Sequence, residues 1–318
     1  MKRTLLLWLS AMMIGALILS GCGPTPTPEP TPTPKPATPT PVPAAKEFTL
    51  GLSLSTLDNP FFVTLKEGAE EAATKAGVKL IVVDCEDDSA KEAANLEDLI
   101  AKKVDALLIN PTDAEAVVPS IGKANEAGIP VFTIDRAAAG GEIVSHIASD
   151  NVAGGRMAGE KLAELLGGKG KVVELEGITG TSSARERGQG FNEVMDKYPD
   201  IEVVARQTAD YDRAKGLSVF ENILEAQPEI DGVFAHNDEM ILGAIEAAEA
   251  AGRADEIVFV GFDAIDDAVA AVKEGKLAAT IAQQPAEMGR LGVEFAVKHL
   301  SGETVEAYIP VDLALVTP

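Results

Sequence analysis

Polar and aromatic side chains recur in this chain as short groups, each placed after a run of apolar residues. Ser55-Thr56-Leu57-Asp58-Asn59-Pro60-Phe61-Phe62 follows Phe48–Leu54, and Asp135-Arg136 follows Val131-Phe132-Thr133-Ile134. Farther on, Arg185-Glu186-Arg187 lies near the end of one run and Tyr211-Asp212 after another. Asn237-Asp238 follows Phe234-Ala235, Phe262-Asp263 follows Val258–Gly261, and Gln283 follows Thr280–Ala282. Together these groups offer aromatic faces, carboxylate acceptors, guanidinium forks and carboxamides. That is the chemistry of sugar recognition: the C–H faces of a sugar pack on aromatic rings, while its hydroxyls need donors and acceptors in fixed geometry. Buried Asp and Arg are tolerable only when paired or bonded to a ligand, so the set implies a site that closes over its occupant. Taken singly, each charged pair reads equally well as a salt bridge fixing a loop end.

Other chemistries find no support. His146, His236 and His299 are widely separated with no Cys/His cluster near them, which fits polar strand-end or surface roles and no metal site. Gly167-Gly168-Lys169-Gly170-Lys171 lacks the spacing of a phosphate loop and precedes a strand where such a loop follows one, so it reads as a helix-terminating turn. Cys85 ends the run Val82-Val83-Asp84 with no neighbouring His to activate it, which makes it a structural residue. With no nucleophile–base–orienter set and no cofactor fingerprint, neither catalytic residues nor cofactors are expected. The 50 Asp+Glu against 27 Lys+Arg give a net charge of −23, which argues against nucleic acid and anionic membrane surfaces as partners.

The elements that must position these groups follow from the apolar pattern. Phe48–Leu54, Val78–Asp84, Ala106–Asn110, Pro130–Ile134 and Ile143–Ala148 read as strands, separated by stretches such as Phe62-Leu65-Ala69-Ala72-Ala73-Ala76 with helical spacing. The pattern repeats with Lys171–Leu175, Glu202–Gln207, Gly232–Ala235, Ile257–Val260 and Leu277–Ala282. Near-continuous apolar strands between amphipathic helices predict parallel sheets covered on both faces, and two successive sets predict two similar α/β lobes. Ligands of open α/β sheets bind beyond the carboxyl ends of the strands, where the polar groups stand.

The first 45 residues are of another kind. Lys2 and Arg3 precede an apolar stretch from Leu5 to Leu19, short for a membrane span of ~20 residues. It ends in Leu19-Ser20-Gly21-Cys22, which resembles the lipobox of bacterial lipoproteins. The resemblance implies a signal peptide over 1–21, cleaved before Cys22, whose sulfur then carries a lipid. From Pro24 to Pro43, proline stands at nearly every second position with only Glu29 and Lys35 charged. Such a run forbids helix and sheet and favours extended polyproline II, so residues 22–45 form a tether that holds a body off a surface by up to ~60 Å.

Beyond that tether the chain resembles the bacterial ribose-binding proteins, periplasmic type I solute-binding proteins of sugar transporters, from about Phe48 to Val316. The resemblance is carried by Asn59-Pro60-Phe61-Phe62, Ile109-Asn110-Pro111-Thr112-Asp113, Ser145–Val152, Gly180–Gly188, Asn237-Asp238-Glu239-Met240 and Leu277–Gln283. It implies two doubly wound parallel-sheet lobes joined by a three-crossing hinge, the crossings falling near Ser149-Asp150, Gln283-Gln284 and Asp312-Leu313. One lobe would comprise 46–149 plus 284–312, the other 150–283 plus 313–318. The sugar contacts it implies are Ser55, Asn59, Phe61, Phe62, Asp135 and Arg136 from the first lobe. Arg187, Tyr211, Asn237, Phe262, Asp263 and Gln283 come from the second and its hinge edge. The ring would lie between Phe61/Phe62 and Tyr211/Phe262, its hydroxyls bonded by the polar residues.

The function implied is capture of D-ribose outside the cytoplasm by a monomer and delivery to the membrane permease of an ABC transporter. The alternative is the same role for allose, another pentose or a related furanose. Some relatives also contact a chemotaxis receptor, which the residues neither support nor exclude. A sugar-sensing repressor shares this body but needs a basic DNA-binding headpiece, and here the lipobox and tether occupy that place. The sequence departs from the family pattern in four places: Tyr211 stands for Phe, His236 for Gln, Asp58 for Asn, and Ala264-Ile265 for a Gly-containing turn.

Overall fold

The computed structural model describes residues 48–318, so the expected signal peptide, lipid attachment at Cys22 and Thr/Pro tether lie outside the described residues. The first sheet and its helices run β1 Thr49–Leu54, α1 Pro60–Ala76, β2 Lys79–Asp84, α2 Ser89–Ala101, β3 Ala106–Ile109, α3 Val118–Glu126, β4 Val131–Ile134 and β5 Ser145–Ala148. The chain then builds a second unit from α4 Asn151–Leu165, β6 Lys169–Glu176, α5 Ser182–Met195, β7 Asp200–Thr208, α6 Arg213–Ala226 and β8 Gly232–Ala235. That unit continues with α7 Asp238–Ala250, β9 Val258–Asp263, α8 Asp266–Lys273 and β10 Ala279–Ala282. Helix α9 Pro285–Leu300 and β11 Tyr308–Pro310 return to the first sheet, and β12 Ala314–Val316 ends on the second.

The two sheets have orders β11-β5-β4-β3-β1-β2 and β12-β10-β9-β8-β6-β7. Every pairing is parallel except β12 on β10. These are the two doubly wound lobes, and the chain passes between them three times: after β5, after β10 and between β11 and β12. Alternate residues of the central strands feed opposite faces, as the pleat requires. Ala106 and Leu108 join the core beneath α1 and α9, while Leu107 and Ile109 join that beneath α2 and α3. In the second sheet Val233 and Ala235 face one core and Phe234 the other.

Three helix pairs, α1 with α9, α4 with α5 and α6 with α7, approach closely through reciprocal glycines. A Cβ at Gly68 would lie 2.1 Å from the carbonyl oxygen of Ala286, and one at Gly289 2.0 Å from that of Leu65. Gly155 meets the carbonyl of Arg187 at 2.1 Å and Gly190 that of Val152 at 2.0 Å. Gly216 and Gly243 do the same against Met240 and Arg213.

The ten strands expected from the apolar pattern are present with ends shifted by at most three residues, the largest shift being the end of β9 at Asp263 rather than Val260. Strands β11 and β12 were not among them. Each is three residues long and largely exposed, and takes its conformation from the sheet edge it joins rather than from an apolar run of its own.

Candidate binding site between the lobes

The polar groups at the strand ends have two jobs, and the first is local. Asn59 caps α1, its Oδ1 accepting from the Phe61 amide at 2.9 Å, with Pro60 at the first helical position. Asp212 caps α6 (2.7 Å to the Lys215 amide) and Asn237 caps α7 (3.0 Å to the Met240 amide). These caps fix where each loop ends and turn the neighbouring side chains toward the gap between the sheets.

In that gap lies a small cavity walled by residues of both lobes. Ten of the twelve residues singled out in the sequence line it: Asn59, Phe61, Phe62, Asp135 and Arg136 from the first lobe, and Arg187, Tyr211, Asn237, Asp263 and Gln283 from the second. Ser55 and Phe262 stand behind this wall. The Ser55 amide donates to Asn110 Oδ1 (3.2 Å), and Asn110 Nδ2 in turn donates to Asp135 Oδ2 (3.1 Å). Phe262 lies under Arg187, whose guanidinium carbon is 3.9 Å from its ring centroid. Ser183, not singled out in the sequence, completes the wall.

The two arginines are held differently. Arg136 is sandwiched across the gap, its guanidinium carbon 5.2 Å from the Phe62 ring centroid and 5.3 Å from that of Tyr211. It donates to the Pro111 carbonyl (3.3 Å), and its Nε makes no hydrogen bond, facing Asp135 Oδ2 only at 4.0 Å. Arg187 donates to Asn151 Oδ1 (2.9 Å) and to the His236 carbonyl (2.7 Å), and faces Asp263 Oδ1 at 3.7 Å. Asp263 also accepts from Gln283 Nε2 (2.9 Å), and the buried Gln283 Oε1 is left without a hydrogen bond. Burial pushes Asp263 up to about 7, and the nearby Arg187 charge opposes the shift. Behind it, Asp238 accepts from Thr280 Oγ1 (2.8 Å) and the Ile265 amide (3.0 Å); burial, then the Asp263 charge, raise it well above the ordinary range.

The loop backbone is strained at the same places. Asp135 (φ 63°), Tyr211 (φ 60°), Asp263 (φ 117°) and Ala264 (φ 55°) all have positive φ without being glycine. Ala264 therefore occupies a conformation that glycine adopts at lower cost, which is why its place in this turn stood out in the sequence.

His236, expected at a polar strand end or on the surface, is fully buried beneath the site. Its Nδ1 accepts from the Gly177 amide (3.3 Å), so its proton sits on Nε2 and is donated to Glu174 Oε1 at 3.0 Å. Glu174, fully buried in β6, also accepts from Arg206 Nε at 2.6 Å. Burial would raise this carboxyl, but His236 and Arg206 outweigh it and hold it low. Cys85 is likewise buried, with its Sγ 3.2 Å from Ser53 Oγ, and burial raises its pKa.

Residues 50–304 match the family described as periplasmic binding protein domain. A ribose import binding protein RbsB of Haemophilus influenzae is 54% identical over 274 residues, covering 86% of this chain and 93% of that protein. The protein of the same name from Bacillus subtilis is 51% identical over 272 residues, 86% of this chain and 88% of its own length. Among solved structures, a periplasmic solute-binding protein from Actinobacillus succinogenes with bound D-allose superposes with a TM-score of 0.80 at 36% identity. It covers 85% of this chain and 98% of that one.

Proposed function

The chain belongs to the periplasmic binding protein family, and from that premise we propose that the cavity between its lobes is where it takes up D-ribose for import. The protein is not an enzyme: it binds a sugar outside the cytoplasm, closes about its three-crossing hinge and hands the sugar to an ABC-type permease. The observation that carries the sugar reading is the composition of the cavity wall, in which aromatic rings from each lobe flank carboxylates, guanidinium groups and carboxamides. A monosaccharide needs both kinds of surface at once, and a site sealed from water makes each hydrogen bond count. Closure follows from differential contact, since only the closed form touches the ligand from both sides.

Calorimetric titration of the body starting at Lys46, unfolded and refolded to strip carried-over ligand, tests the reading against ribose, allose, xylose, arabinose, galactose and glucose. One-to-one binding of ribose with the others much weaker is the expected result. Preference for another panel sugar replaces the ligand and keeps the mechanism, and no heat with any of them overturns the sugar assignment. The second reading, allose, has in its favour the D-allose bound in the Actinobacillus succinogenes relative.

The leader supports a membrane tether: positive residues, an apolar stretch and Leu19-Ser20-Gly21-Cys22 occur in order ahead of the Thr/Pro run. Cys22 then carries the lipid, and Cys22→Ala should move the protein from the membrane to the soluble fraction and abolish acylation of its N-terminal peptide.

A further inference from the structure

Tyr211 is the aromatic wall of the second lobe, and its hydroxyl is tied to a partner that the sequence did not reveal. Its Oη lies 3.0 Å from Ser183 Oγ, and both residues are buried in the cavity wall. Behind the ring there is no room to retreat: a Cβ on Gly177 would lie 2.0 Å from Tyr211 Cζ and 2.5 Å from its Oη. Gly177 is itself fixed on both sides. Its amide donates to His236 Nδ1 (3.3 Å), and its carbonyl accepts from Thr208 Oγ1 (2.8 Å). The ring also has the Arg136 and Arg187 guanidinium carbons 5.3 and 5.9 Å from its centroid. Gly177 therefore blocks backward motion of the ring, and the bond to Ser183 is the tether that stops it swinging sideways.

We propose that Ser183 is a specificity-determining residue, which sizes the sugar's ring substituents by holding the Tyr211 phenol in place. This rests on the sugar reading above and adds to it a feature, available only because Tyr stands where the family pattern has Phe, that sharpens the separation of a pentose from its larger homologue. A wall that cannot yield rejects one additional CH2OH by steric cost, whereas a ring free to rock makes space for it. Discrimination on that scale is about 10–200-fold for a well-fitted pocket. The pair satisfies itself: one hydroxyl donates to the other, so neither depends on the ligand for a partner.

Allopyranose is ribopyranose bearing one CH2OH, so the ratio of their Kd values measures this wall directly. Calorimetry on the wild type, Ser183→Ala, Tyr211→Phe and the double variant is the test. Each single change is expected to lower the allose-to-ribose Kd ratio about fivefold or more, a sizeable part of the discrimination a fitted pocket can supply. The double variant should fall no further, because both changes break the same bond. Tyr211 is the only one of the three tyrosines that lines the cavity, the others being Tyr198 and Tyr308. Its near-UV band should shift in Ser183→Ala, while thermal unfolding verifies that each variant is folded. Ratios within about twofold of the wild type, or single effects that multiply in the double variant, overturn the proposal. A wild type that binds neither sugar overturns it together with the sugar reading, a failure visible before any variant is made.

Discussion

At the scale of single residues the site is a set of charges kept half-satisfied by the protein. Arg187 makes two hydrogen bonds to protein acceptors and faces Asp263 without a close bond, so both retain capacity for a ligand. Arg187→Ala or Asp263→Ala should leave the fold intact and weaken sugar binding by ~2–5 kcal/mol, as when one member of a buried charge pair is truncated. Unchanged titrations in both variants would remove them from the site. Asp263 also makes binding depend on pH. Burial holds its carboxyl up to about 7, and a hydroxyl that donates to it favours the ionised form. Affinity should therefore fall as pH drops through about 7, and that dependence should flatten in Asp263→Asn; a wild type that binds equally at both ends of the range excludes Asp263 as an acceptor. For the fold alone the linkage runs the other way. A carboxyl whose folded pKa is raised favours the native state most below its unfolded pKa, and that contribution is lost as pH rises through about 7.

At the scale of elements, strand ends aim the site and helix pairs hold it. Helix α5 carries Arg187 and lies on α4 with Gly155 and Gly190 in backbone contact, so the guanidinium is as fixed as that contact. Gly190→Ala would place a Cβ 2.0 Å from the Val152 carbonyl, a clash with rigid backbone. It should cost ~1–3 kcal/mol of stability by chemical denaturation and weaken sugar binding as α5 is displaced. Much of this level was legible in the sequence. Apolar runs ending in charged or aromatic pairs located the long strands and most of the cavity wall, because strand period and strand-end polarity are local properties. What escaped was non-local. Strands β11 and β12 exist only by pairing with an edge, Ser183 meets Tyr211 across 28 positions, and His236 meets Glu174 across 62. Ser183 in the first turn of α5 looks like any small polar helix-start residue until β7 brings Tyr211 beside it.

At the scale of the whole molecule, the contacts that span the gap decide how long a ligand stays. The Ala114 amide donates to the Gly180 carbonyl (3.1 Å), the Ala137 amide to Ser182 Oγ (2.8 Å), and Arg136 faces Tyr211 across the gap. A bond between lobes is made on closing and broken on opening. Ser182→Ala should thus raise the sugar's dissociation rate about two- to tenfold, the worth of one net hydrogen bond, and leave the association rate unchanged in stopped-flow measurements. An altered association rate with normal release would place this bond outside the closing step. The glycine contacts give the moving parts a definite make-up. Helix α1, bearing Phe61 and Phe62, is locked to α9, which follows one crossing, and α5, bearing Arg187, is locked to α4, which follows another. Each binding face travels as one block with a helix whose outer side is open to solvent, so the sugar's arrival is written on the outside of the protein. Cys85, the one cysteine among the described residues, is buried. A donor dye on a cysteine introduced on α4 and an acceptor on one introduced on α9 would form an optical ruler for a sugar that neither dye touches.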